Sequence, residues 1–223
     1  MDPATYAFLV AYKWWLEQDV YYLGLLQGAP NALDNRLLDQ ILRSYGANLS
    51  VPSDHRNRFV EFIQVIQQDE QIGITERARI IIEELNAFEL NSVSAATKVN
   101  WFVWPNGWTM FDKRACISVI GHAQGNPAPR MLEFYNSLSN RGISELFGAI
   151  RDVLVPYGFH PLLAERTVDK FLWLGQPLAH PGEQIARHEA FRDALPTELS
   201  ENVTLVGEQI SVLLADSALM HHQ

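Results

Sequence analysis

Three features of the sequence predict an all-α fold. Apolar residues recur at helical spacing along nearly the whole chain, as at Phe59, Phe62, Ile63 and Ile66, which share one helix face. Glycine, proline and asparagine gather at short joints between these runs. No stretch alternates apolar and polar residues between hairpin turns, and no repeat of fixed period is present. Because the joints are frequent, many short helices are expected rather than a long four-helix bundle.

Taken in order, Pro3 to about Gln27 and Leu33 to about Tyr45 read as the first two helices, divided by Gly28-Ala29-Pro30-Asn31 and closed by Gly46. Ser53 or Asp54 is placed to cap the helix that carries Phe59 to Ile66, and Gly73 lies beyond its end. Thr75 opens Glu76 to Phe88, where Ile80, Ile81, Ile82 and Leu85 form a wide apolar stripe. Ser94 opens a short helix that Pro105 stops by removing a donor and constraining Trp104. After the turn Pro105-Asn106-Gly107, Asp112 caps Lys113 to Ile120, and Gly121 to Pro129 reads as a loop. Helices over Arg130 to Ser139, Ile143 to Leu154 and Pro161 to Leu174 follow, the last with proline at its first position and Gly175 at its end. From His180 to Asp216 the acidic residues outnumber Arg187 and Arg192, and the stretch reads as two solvated helices. The expected organisation is a helical domain over 1–176, with a cleft near 94–114, and an acidic helical extension over 177–223.

Composition narrows the function. Hydrophobic residues make up 48% and charged residues 19%, the proportions of a folded chain rather than a disordered one. Lysine and arginine number 17 against 26 acidic residues, and a net charge of −9 argues against broad nonspecific attachment to nucleic acid or anionic lipid. Any such contact must be local. A single cysteine, Cys116, offers neither an internal disulfide nor a zinc cluster. Met1-Asp2-Pro3 lacks a basic leader, and no uncharged apolar run reaches the roughly 18 to 20 residues of a membrane span, so a soluble, cytoplasmic protein without a membrane partner is expected. GxxxxGK[ST], GxSxG, HExxH and CxxC motifs are absent, and no cofactor or metal is indicated. His188-Glu189 lacks a second histidine one turn on and reads as surface charge; His221-His222 reads as a tail.

The segment from Ser94 to Asp112 is the most informative. Five aromatics, Trp101, Phe102, Trp104, Trp108 and Phe111, stand close together in a chain that is 11% aromatic overall. Between Thr97 and Arg130, Lys98, Lys113, Arg114 and Arg130 face only Asp112, which leaves a local positive excess where an anionic ligand would bind. On a helix, Lys98 shares a face with Trp101 and Phe102 at i+3 and i+4. Burial there would lower the lysine pKa and supply a neutral amine nucleophile. The alternative is a lysine that lays its methylenes on aromatic surface and keeps its charge in water. Asp112 has two readings likewise, as a carboxylate of a site or as a helix cap, and the aromatics are either core or a ligand platform.

At these residues the sequence resembles the helix-hairpin-helix DNA glycosylases, in particular the 8-oxoguanine glycosylase/lyase branch. Thr97-Lys98-Val99 matches the lysine element at the mouth of a helix, Pro105-Asn106-Gly107 the proline turn, and Asp112 the aspartate that caps the following helix. A second stretch, Arg166-Thr167-Val168-Asp169-Lys170-Phe171-Leu172-Trp173-Leu174-Gly175, is similar to a late helix of glycosylase-fold bacterial proteins. The resemblance implies a two-lobed helical array with its site between the lobes. There the Lys98 amine would attack C1′ of a flipped nucleotide, and Asp112 would support the charge that develops on the sugar. Two departures stand out. Ser92-Val93-Ser94-Ala95-Ala96 has none of the family's hairpin glycines, and Lys98 and Asp112 are only 14 residues apart.

Two functions follow. The first is a DNA base-excision glycosylase, with or without lyase activity, in which Trp101, Trp104 or Trp108 would stack on the extruded base and Lys113, Arg114 and Arg130 would meet phosphates of damaged DNA. The second is a noncatalytic helical module of the same fold that binds protein or nucleic acid.

Overall fold

The structure, a computed structural model, describes residues 1–47, 49–66, 72–175, 181–217 and 219. Among them it is helical throughout, with no strand. The helices are α1 (Pro3–Trp14), α2 (Val20–Leu26), α3 (Asn35–Ser44), α4 (Arg56–Val65), α5 (Ile74–Ala87), α6 (Val93–Val103), α7 (Lys113–Ile120), α8 (Pro127–Asn140), α9 (Ile143–Leu154), α10 (Leu163–Leu174), α11 (Pro181–Asp193) and α12 (Thr197–Asp216). None of them is long and apolar enough to cross a membrane.

Helix α1 is the centre of the fold. Asp2 caps it, accepting from the backbone N–H groups of Ala4 and Thr5, and every residue from Ala4 to Tyr12 is buried, as an all-round apolar helix requires. It packs against α10 on one side and α12 on another. The close approach of α12 depends on Gly207, where a Cβ would stand 2.7 Å from Thr5 Cγ2. Val203, Val206, Ile210 and Leu214 of α12 enter the same core, so this acidic segment is not the solvated helix its charge suggests; its acids occupy the opposite face. The expected boundary at 176–177 and the His221-His222 pair lie outside the described residues.

Between α1 and α2 the chain does not run on as one regular helix. Trp15–Asp19 forms a π-helical segment, and such widened turns re-aim side chains. Here Trp15 and Asp19 point inward while Leu16 and Val20 face out. Three smaller corrections concern helix ends. Ser53–His55 is a 3-10 turn rather than a side-chain cap for α4. Helix α8 begins at Pro127, capped by Asn126, so part of the expected loop to Pro129 is helical, its prolines tolerated in a first turn whose N–H groups have no helical partner. Helix α10 begins at Leu163, and the residues before it are held by Leu162 N–H donating to His160 Nδ1 at 3.2 Å.

Candidate active site

Helix α10 carries a polar stripe on a face that points into the core. Arg166, Asp169, Lys170 and Trp173 fall at i, i+3, i+4 and i+7, and the first three are buried. The Arg166 guanidinium is the hub. Its Nε donates to Asp19 Oδ2 at 2.7 Å and its Nη1 to Asp169 Oδ2 at 2.6 Å, while its Cζ lies 4.9 Å from the Trp101 ring centroid and 5.6 Å from that of Tyr45. Tyr45 donates its hydroxyl to the other Asp19 oxygen. Burial works against the arginine charge, but Asp19, Tyr45 and Asp169 outweigh it and hold the guanidinium protonated. Burial pushes the Asp169 carboxyl up against the opposing pull of Arg166 and Lys170.

Beside this cluster opens a cavity of about 220 Å³. Asp169, Lys170 and Trp173 of α10 line it, with Trp14 and Tyr6 of α1, Tyr45, and Gln184 and His188 of α11. Lys98 of α6 and Asp112 at the start of α7 line it as well. Lys98 is 9% exposed and donates from Nζ to Ser94 Oγ at 2.9 Å. Asp112 caps α7 through Oδ1, which accepts from Ala115 N–H at 2.9 Å.

The loop between α6 and α7 is fixed at several points, and this fixes Asp112. Arg77 donates to the carbonyls of Trp104 at 3.2 Å and Asn106 at 2.7 Å. Gly107, at φ +66°, donates to buried Glu165 Oε1 at 2.9 Å, and Glu165 also pairs with Arg151. Tyr135 donates to Thr109 O at 2.7 Å, and Thr97 Oγ1 accepts from Phe111 N–H at 3.1 Å. Thr97 therefore ties the end of the loop to the turn of α6 that precedes Lys98.

The Lys170 amine is strongly affected by its surroundings. Burial lowers its amine to about 8, helped by Arg166 and opposed by Asp169, Asp19 and Asp112. Its Nζ lies 4.1 Å from the Trp14 ring centroid, 5.9 Å from that of Trp173 and 3.8 Å from Asp169 Oδ2.

The sequence-predicted residues divide into two groups. Lys98 and Asp112 meet at one cavity. Trp101 and Trp108 do not reach it: both are fully buried, Trp101 under Arg166 and Trp108 stacked on Tyr135 at 4.4 Å, so neither has a face to offer a base. Trp104 is half-buried at the end of α6 and does not line the cavity. The tryptophans that do are Trp14 and Trp173. Lys113 is exposed beside Asp112. Arg114 instead braces the cavity wall, its Nε donating to Trp173 O at 3.0 Å and its guanidinium 4.3 Å from the Trp173 ring. Arg130 donates to Ala123 O and closes the loop before α8. His188, read as surface charge, is half-buried in the cavity wall, with Tyr6 OH 3.2 Å from its Nδ1, and burial lowers its pKa. Among the described residues no group of three or more histidine, cysteine or acidic side chains is arranged to hold a metal ion.

Two amines and two carboxylates thus share one small aromatic enclosure, a composition suited to nucleophilic attack with proton transfer. Compared with family models, curated proteins and solved structures, the chain gives no match.

Proposed function

We propose that the protein is a DNA base-excision glycosylase with lyase activity, acting on a nucleotide extruded from the duplex. The observation that carries this reading is that Lys98 and Asp112 open into one cavity whose walls include Trp14 and Trp173. Extruding a base costs a few kcal/mol, and stacking on an aromatic side chain returns about 1 to 3 kcal/mol per base, so walls of this kind are of the right size to matter. The Lys98 amine attacks C1′ of the sugar, the base leaves with the bonding electrons and takes up the proton that the attacking nitrogen releases, and the nitrogen is left bound to the sugar carbon. Ring opening gives an imine, from which elimination breaks the strand. Asp112 stabilises positive charge on the sugar as the base departs. Lys113, exposed at the start of α7, is the cation best placed to meet a phosphate.

The test is to incubate the protein with duplexes containing 8-oxoguanine, uracil or an abasic site, add borohydride, and look for a covalent adduct. Adduct formation that is lost in Lys98→Gln is the expected result. One feature favours the second reading, a noncatalytic helical module. The stretch that enters α6, Ser92 to Ala96, carries no glycine for close backbone approach to a DNA phosphate, and Glu89 just before it holds an exposed carboxylate paired with Arg58 at 3.2 Å. No adduct on any of the three duplexes, together with no DNA binding, would decide for the module.

A further inference from the structure

We propose that Lys170 is a second, carbonyl-reactive amine of this cavity, and that an aldehyde admitted to it condenses with Lys170 Nζ to form an imine. This activity is separate from the DNA chemistry assigned to Lys98 and goes beyond it. It needs no duplex and no extruded base.

The other three lysines stand in different surroundings. Lys13 is paired with Glu17, Lys98 is hydrogen-bonded to Ser94, and Lys113 is exposed. Lys170 Nζ is different: it lines the cavity, and among the described residues it has no partner within hydrogen-bond distance, its nearest carboxylate oxygen, on Asp169, standing 3.8 Å away. The groups with the largest effect on it are Arg166 and Asp169 of its own helix, Asp19 of the π-helical segment and Asp112 at the head of α7, and Lys98 of α6, Tyr6 of α1, Tyr45 and His188 of α11 face the same cavity. The Trp14 ring beneath it favours the ammonium form. Burial and the neighbouring guanidinium oppose that form and prevail, the two circumstances that activate an amine for attack on a carbonyl.

Asp169 supplies the proton path. The neutral amine adds to the carbonyl carbon, forming the C–N bond and placing the electron pair of the C=O bond on oxygen. The Asp169 carboxylate carries the two protons of the new ammonium to the oxygen in turn: the first gives the carbinolamine, and the second lets its hydroxyl leave as water as the C=N bond forms. Amine and aldehyde are the only reactants, and imine and water the only products. At about 220 Å³ the cavity is smaller than the roughly 300 to 1,000 Å³ of sites for drug-sized ligands, so the class it suits is a small aldehyde that can lie against Trp14 or Trp173.

The experiment treats the full chain with salicylaldehyde and cyanoborohydride, then maps the reduced adducts by peptide mass spectrometry over time. At pH 7 Lys170 is expected to label at least about tenfold faster than exposed Lys113, because burial and the Arg166 guanidinium favour its neutral amine. The labelling rate should rise with pH to a midpoint near 8. Lys170→Gln should remove this fast phase, and the mapping in the unaltered chain decides the matter even if that variant does not fold. Labelling of Lys170 no faster than Lys113, or a fast phase that maps to Lys98, would overturn the proposal.

Discussion

Arg166 Nη1 donates to Asp169 Oδ2 at 2.6 Å across one turn of α10, and both residues are buried. The same guanidinium reaches Asp19, which the π-helical segment turns inward, so one cation neutralises two buried acids from distant parts of the chain. Breaking a buried pair by removing one partner costs about 3 to 5 kcal/mol, because the remaining charge keeps its desolvation penalty. Arg166→Met should lose stability on that scale, read as a shift in the urea midpoint. Arg166→Lys should recover little of it, since a single ammonium cannot reproduce the planar fork that serves both carboxylates. A loss under about 1 kcal/mol for Arg166→Met would show that Asp19 and Asp169 are solvated without it.

Asp112 has two tasks that substitution can separate. As the cap of α7 it accepts from Ala115 N–H, and asparagine caps about as well, whereas alanine costs about 1 kcal/mol. As a carboxylate on the cavity it cannot be replaced by either. Asp112→Asn should therefore keep the urea midpoint within a few tenths of a kcal/mol, while single-turnover base release falls about 100-fold, the scale expected when one electrostatic contributor to a transition state is removed. Equal base release by Asp112→Asn and the unaltered protein would leave Asp112 a helix cap only.

Much of the helix order could be read from the sequence, because apolar spacing and proline or glycine joints are local signals. Asp112 as the cap of Lys113–Ile120 is the clearest instance. What could not be read depends on packing. Trp101 and Trp108 look like Trp14 and Trp173 in a sequence, yet two are core and two line the cavity. Nothing local marks Asp19 as buried, since the widened turn at Trp15–Asp19 shifts the register that apolar spacing assumes. One signal in the sequence bears on the site: Arg166, Asp169, Lys170 and Trp173 repeat at the period of a single helix face, and charged residues on a face that enters the core must be paired inside the protein or line a cavity.

Lys170 gives a pH dependence whose sign can be worked out. Its folded-state pKa is lowered from 10.5 to about 8, so below pH 8 both folded and unfolded chains carry the ammonium and the folded state bears the whole cost of burying it. Between about pH 8 and 10.5 the folded chain releases the proton while the unfolded chain keeps it, and the contribution of this residue to stability rises with pH. Buried Tyr45 and Tyr135 act oppositely: burial raises both phenols well above 10, so stability falls as unfolded tyrosines ionise. The lysine effect is isolated by difference. Replacing Lys170 with methionine removes the charge at similar length, and any packing cost of the change is independent of pH. The stability of Lys170→Met minus that of the unaltered protein, measured by urea denaturation at pH 7, 8, 9 and 10, should be most positive at pH 7 and decline by a total of about 3 kcal/mol toward pH 10.5. A difference that stays flat across that range would show that the amine is hydrated in the folded protein, and it would remove the chemical basis for a reactive Lys170.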